Sequence, residues 1–206
     1  MEATTDGSWV YLVRKRTGLR TVRVGADPRV VDTTVRIRIA GPEDATELAR
    51  LKESWAELSD PATEAELAEF ADELRRWTQE RGDTVTCAVA ELDGILIGMA
   101  WLVVFERVPN VRDTRRRTGD IQSVFVQHSY RSRGIGKQLV RALTVMADEL
   151  GIPRVTVSAN ARAASMYEAL GFEPTPLLLE RKARPAPSQQ RTGIRADNSH
   201  TESLAP

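Results

Sequence analysis

Of 206 residues only Cys87 is a cysteine, so no intramolecular disulfide can form and nothing suggests a chain built for an oxidising compartment. It lies in the apolar run 85–89 with no nearby histidine, which reads as a buried thiol and sets thiol catalysis aside. Net charge is missing too. The 29 Lys and Arg balance 29 Asp and Glu, which removes the electrostatic footprint of a nucleic-acid binder. No window approaches the roughly eighteen apolar residues of a membrane-spanning helix. The apolar stretch 9–13 is too short for a secretory signal and precedes its basic residues instead of following them. A soluble, cytoplasmic protein is expected, monomer or homodimer, with no membrane or nucleic-acid partner. What is present suffices for a core: 41% of residues are hydrophobic, and a domain of about 150 residues removes roughly 70% of its unfolded surface from water.

The ends differ from the middle. Residues 183–206 carry Pro, Ser, Gln and Thr with almost no large apolar side chain and read as a disordered tail. Residues 1–33 form a basic N-terminal extension broken by glycines, in which 9–13 and 19–24 read either as short strands or as parts of a flexible leader.

Between them, in 34–182, the apolar period alternates between two and about 3.6, as strands interleaved with helices require. Val35, Ile37 and Ile39 mark a half-buried strand. Ala45, Leu48, Leu51, Trp55 and Leu58 then recur at helical spacing, and a second helix starts near Glu64 with Leu67, Phe70, Ala71, Leu74 and Trp77 on one face. Strands at 84–91 and 95–106 flank Asp93-Gly94, a strong hairpin signal. The basic stretch 107–119 reads as a loop, 120–126 as a strand, 134–150 as a helix closed by Gly151, and 154–158 as a short strand. A helix at 161–170 and a last strand at 177–181 complete a mixed α/β sheet.

The chemistry is carried by 121–140, IQSVFVQHSYRSRGIGKQLV, where a strand runs into a glycine-containing turn that opens an amphipathic helix. Unpaired amides and the positive end of the helix dipole make such a turn an anion site suited to phosphate. Gly134 and Gly136 let the backbone approach phosphate oxygens. Arg131, Arg133 and Lys137 add charge around the same point. The nucleoside-triphosphate loop does not fit, because Arg131 stands at its first glycine and Gln138 at its Ser or Thr. The dinucleotide fingerprint fails at Leu139.

The segment Arg131-Ser132-Arg133-Gly134-Ile135-Gly136 resembles the acyl-CoA loop of the GNAT superfamily, Gln/Arg-x-x-Gly-x-Gly/Ala, and Val124-Phe125-Val126 resembles the strand before it. His128 departs from a frequent Pro and Ser132 from a frequent Gly, which bears on fine geometry alone. Downstream, SANARAASMYEALGF is similar to the family's closing pattern at Asn160, Ala163, Tyr167, Gly171 and Phe172. The resemblance spans about 34–182. It implies the family's fold, a mixed, mostly antiparallel splayed sheet flanked by about four helices, and acetyl-CoA as cosubstrate, with an amine acceptor and no metal.

By the same resemblance Val124, Phe125 and Val126 would meet the pantetheine arm, which extends the sheet like an added strand. The loop residues Arg131, Ser132, Arg133, Gly134, Ile135, Gly136 and Lys137 would hold pyrophosphate. For the side chains of Arg133 and Lys137 a solvated helix start is the alternative. Asn160 would bond the cofactor arm, or cap the helix that follows it, or both. Acyl transfer needs a neutral amine, a stabilised oxyanion and a proton for the departing thiolate. Tyr167 is the expected proton donor, with a core aromatic as the alternative. Asp120 and Glu106, at strand ends, are the candidates for the base, and Gln122 and Ser123 are expected to line the site. Acceptor choice is expected to depend on helices within 45–78 and on the basic loop 107–119. A binding module that keeps the loop without turnover is the rival function.

Overall fold

The computed structural model describes residues 9–15 and 18–24 as backbone, and 35–56 and 60–175 in full. The chain divides into two units, Met1–Glu173 and Pro174–Pro206, and every element below belongs to the first. The expected strand at 177–181, the tail 183–206 and Leu58 lie outside the described residues, as does most of the extension 1–33. Within that extension β1 (Trp9–Lys15) and β2 (Gly18–Val24) pair antiparallel.

Among the described residues the main sheet has five strands in the order β3 (Arg36–Ile39), β4 (Val85–Leu92), β5 (Ile95–Glu106), β6 (Arg117–Val126) and β7 (Val155–Val157). The first three pairings are antiparallel, and β6 with β7 is parallel. Asp93 and Gly94 make the two-residue turn between β4 and β5, both at positive φ (50° and 82°), which matches the right-handed twist of the strands they join. Strand β6 begins at Arg117, earlier than its apolar pattern indicates. Thr118 and Gly119 pair with Phe105 and Val104 across the sheet, and this pairing outweighs the poor strand propensity of glycine.

Among the described residues four helices flank the sheet, as expected. On one face lie α1 (Ala45–Ala56) and α2 (Glu64–Arg81), whose Leu48, Leu51 and Leu74 pack on Val89, Met99, Trp101 and Phe125. Thr63 opens α2 with a capping box: its hydroxyl accepts from Glu66 N–H, and the Glu66 carboxylate accepts from Thr63 N–H. On the other face lies α3 (Ile135–Glu149), whose Leu139, Val140, Leu143 and Ala147 are fully enclosed. The short α4 (Ala164–Glu168) adds Tyr167 to that second core. Arg38 on β3 ties three pieces together, with its guanidinium bidentate on Asp44 before α1 and its Nε 2.6 Å from Glu91 on β4.

Candidate active site

Strand β6 contains a bulge. Trp101 faces Gln122 and Met99 faces Phe125, so Ser123 and Val124 together oppose one residue, and Ser123 takes a φ of 51°. The extra residue switches the strand's parity. Before it, Gly119 N–H donates to Arg154 O on the β7 side, while after it the equally odd-numbered Gln127 N–H donates to Ile97 O on the β5 side. The amides of Val124 and Val126 therefore turn away from β5.

Nothing in the described sheet covers that side. Strands β6 and β7 pair only from Gly119 with Val155 to Ile121 with Val157, and past this point β6 runs on alone to Val126. The result is a splayed edge whose N–H and C=O groups suit an amide-bearing ligand lying alongside. Arg131 closes its far end, with Nε 2.9 Å from Val126 O and its guanidinium over the Phe125 ring.

The splayed edge leads into the loop before α3. Ser132 (φ 62°) and Gly134 (φ 76°) both adopt the left-handed conformation, a backbone pattern that turns amides inward toward an anion. The first helical bond runs from Gln138 N–H to Gly134 O, so the N–H groups of Ile135 and Gly136 have no acceptor within the helix. A Cβ on Gly136 would sit 3.7 Å from Met166 Sδ and 3.9 Å from a Val126 methyl. That places the first turn of α3 against both α4 and the end of β6, so loop, edge and α4 form one surface.

The candidates named from the sequence divide into those on this surface and those away from it. Val124 and Val126 present the open backbone, and their side chains pack on the α3 face. The Phe125 ring is buried on the opposite face, 6.4 Å from the Trp55 ring, and Ile135 is a core residue whose amide alone faces the loop. Arg133 lies over the Tyr130 ring and donates to Ser129 O, and Lys137 occupies the first turn of α3. Asn160 accepts from Ala163 N–H at 3.0 Å across the turn that precedes α4. Tyr167 is 6% exposed, edge-on to Phe172 at 5.5 Å, and burial raises its phenol above the ordinary tyrosine value.

The two proposed bases are separated. Asp120 lies on β6 three residues before Ser123, with one carboxylate oxygen accepting from Gln122 Nε2 and the other from Thr156 Oγ1. Glu106 pairs with Arg117 at the far end of β6, six residues from Ser123, or about 20 Å at strand rise. The geometry brings Asp120 to the neighbourhood of the bulge and leaves Glu106 outside it. The basic loop is partly tied down, since Arg107 N–H donates to Arg116 O and the Arg116 guanidinium donates to Val108 O.

One residue at the bulge escaped the sequence reading. Lys52 Nζ lies 3.2 Å from Ser123 Oγ, between the rings of Trp55 and Trp101. Its signal was present in the spacing: position 52 follows Leu48 by four and precedes Trp55 by three, so a lysine stands on the apolar stripe of α1.

Residues 51–172 match the acetyltransferase (GNAT) family. A glucosamine 6-phosphate N-acetyltransferase of Trypanosoma brucei brucei is 30% identical over 112 residues, covering 54% of this chain and 71% of that protein. Among solved structures, a glucosamine-6-phosphate N-acetyltransferase of Arabidopsis thaliana superposes with a TM-score of 0.60 at 18% identity, over 72% of this chain and 98% of that one. A predicted acetyltransferase of Clostridium acetobutylicum solved with acetyl-CoA gives 0.56 at 20% identity, over 72% and 96%. At such identities the structures speak for the fold, while the family match covers more than half of the chain and includes the bulged strand, the loop and Tyr167. The chain is a GNAT-type acyltransferase and belongs to the acetyltransferase (GNAT) family.

Proposed function

We propose that this protein is an N-acetyltransferase that moves an acetyl group from acetyl-CoA to a primary amine by direct attack, with Tyr167 as general acid. The observation that carries this reading is the continuity of the splayed β6 edge with the left-handed loop and the amide-presenting start of α3. An edge of free amides followed by an anion cradle fits a ligand with an amide-bearing arm and a pyrophosphate, which is the shape of coenzyme A. When bound, that cosubstrate supplies the activated thioester.

The protein's own residues would divide the remaining work. Val124 and Val126 would hold the arm through backbone bonds. The amides of Ile135 and Gly136, with Arg133 and Lys137 beside them, would hold the pyrophosphate. Tyr167, kept protonated by burial, would donate to the departing sulfur. Asp120 is the better-placed base, acting directly or through water. No helix among the described residues is long and apolar enough to cross a membrane, and with its one buried, unpaired cysteine we assign the protein to the cytoplasm.

With acetyl-CoA and a panel of amines, thiol release should appear for some acceptor and fall at least about tenfold in Tyr167→Phe, which removes the proton and keeps the ring. Full rate in that variant would sink the acid assignment. Coenzyme A binding without turnover of any amine would favour a regulatory module of the same fold.

A further inference from the structure

We infer that Lys52 forms an anion subsite of the acceptor pocket, so that the amines this enzyme prefers carry a carboxylate or phosphate close to the reacting nitrogen. The proposal rests on the acetyl-transfer reading of the same bulge. Three observations place a cation there for a ligand. The Lys52 side chain is half-buried, with Nζ 3.2 Å from Ser123 Oγ and 5.8 and 5.7 Å from the Trp55 and Trp101 ring centroids. Among the described residues it forms no ion pair, although a charge withdrawn from water ordinarily acquires a partner of opposite sign. Its polar partner is the hydroxyl of Ser123, the residue of the β6 bulge that takes a positive φ. Ser123 stands where the open β6 edge begins, so an anion held by Lys52 and Ser123 would lie within a few bonds of an amine approaching that edge.

The surroundings agree. Lys52 lines a cavity of about 460 Å³ between α1 and α2 that reaches Phe70. Three carboxylates line the same cavity. Two are engaged: Glu53 accepts from Ala62 N–H at 2.6 Å, and Glu66 closes the capping box with Thr63. The third, Asp60, lies on the exposed rim. None is paired with Lys52, whose ammonium points past them to the sheet. Burial also lowers the Lys52 pKa from the ordinary lysine value. An anionic ligand would reverse that penalty, which gives the position a thermodynamic preference for negative charge.

The test uses acceptors that differ chiefly in an anion close to the amine, glycine against glycinamide and O-phosphoethanolamine against ethanolamine, with kcat/KM referred to the unprotonated amine because amine basicity differs within each pair. For at least one pair the anionic member should have a kcat/KM about tenfold or more higher. Lys52→Gln should abolish that preference by raising KM for the anionic member and leave the neutral member within about twofold. Lys52→Arg, which keeps the charge and cannot act as a base, should restore part of it. The first pair reports a carboxylate, the second a phosphate. Equal use of both members in both pairs, or a kcat loss for all acceptors alike in Lys52→Gln and Lys52→Arg, would overturn the subsite. Failure to acetylate any amine would instead count against the acetyl-transfer reading, and the subsite then stands or falls by binding. In the coenzyme A complex, N-acetylglycine should perturb the fluorescence of Trp55 and Trp101 at lower concentration than N-acetylglycinamide. That difference should vanish in Lys52→Gln, and its absence from the wild type would refute the anion site.

Discussion

Tyr167 is enclosed by α4 and Phe172, and burial raises its phenol above the usual value of about 10. As the proposed general acid, Tyr167 would work while it holds its proton and should itself impose no fall in kcat below about pH 10. The same shift has a stability consequence of definite sign. Because the folded-state pKa is above the unfolded one, the contribution is whole below the unfolded value and is lost as pH climbs through the folded value. Alkaline unfolding should therefore move the stability difference in favour of Tyr167→Phe above about pH 10, as measured by urea titration across pH. A parallel loss in both proteins would remove Tyr167 as the source. At the bulge, Gly98 is required sterically: a Cβ there would lie 2.9 Å from Phe125 O, a backbone atom that cannot swing aside. Gly98→Ala should cost about 1–3 kcal/mol in denaturant unfolding, as overpacking does. An unchanged midpoint would mean that the β5–β6 contact is looser than the structure has it.

The elements depend on a polar joint as well as on apolar faces. Arg38 and Asp44 are largely buried, with side chains 17% and 8% exposed. Burial by itself would raise the Asp44 pKa, but the Arg38 guanidinium and the Gly41 N–H outweigh it and bring the net value below the ordinary 3.8. A depressed carboxyl contributes stability that is present above the unfolded value and is lost as pH falls through the folded one. Asp44→Ala should cost about 3 kcal/mol at neutral pH, the low end for a broken buried pair because Glu91 keeps Arg38 partly satisfied. The deficit should shrink as pH falls from about 3.8, where Asp44 of the unfolded chain takes up its proton, through the lower folded value.

Most elements were legible because their signals are local. The Asp93-Gly94 turn, the Thr63 to Glu66 capping box and the stripes of α2 and α3 each reside within a few residues of sequence. Two features were not. The start of β6 was hidden by Gly119 and the run of arginines at 115–117, where only pairing with β5 makes a strand. The Lys52 position was passed over because a helical stripe is read from its apolar members. That this lysine meets a serine 71 residues away depends on the bulge, which no local pattern announces.

At the scale of the whole molecule, the proposed cosubstrate would touch pieces that the fold holds apart: the open edge of β6, the turn into α3 and α4 against them. A ligand that binds only this assembled surface stabilises the native state by mass action, about 2.7 kcal/mol at one hundred times its Kd. For a chain of this size each kcal/mol moves Tm by roughly 2–4 °C, so saturating coenzyme A should raise Tm by about 5–11 °C. Gly134→Glu tests whether the loop is part of that surface. The substitution sets a carboxylate at the proposed anion cradle and forces a side chain onto a φ of 76°, so its unliganded Tm should fall on strain alone. The shift on adding coenzyme A is independent of that loss, and it should be abolished in Gly134→Glu yet retained in Tyr167→Phe. A normal shift in Gly134→Glu would place the pyrophosphate elsewhere. A shift lost in Tyr167→Phe would make Tyr167 part of the binding surface rather than a proton donor, because removing one hydroxyl from an acid that acts only during transfer leaves ground-state binding intact.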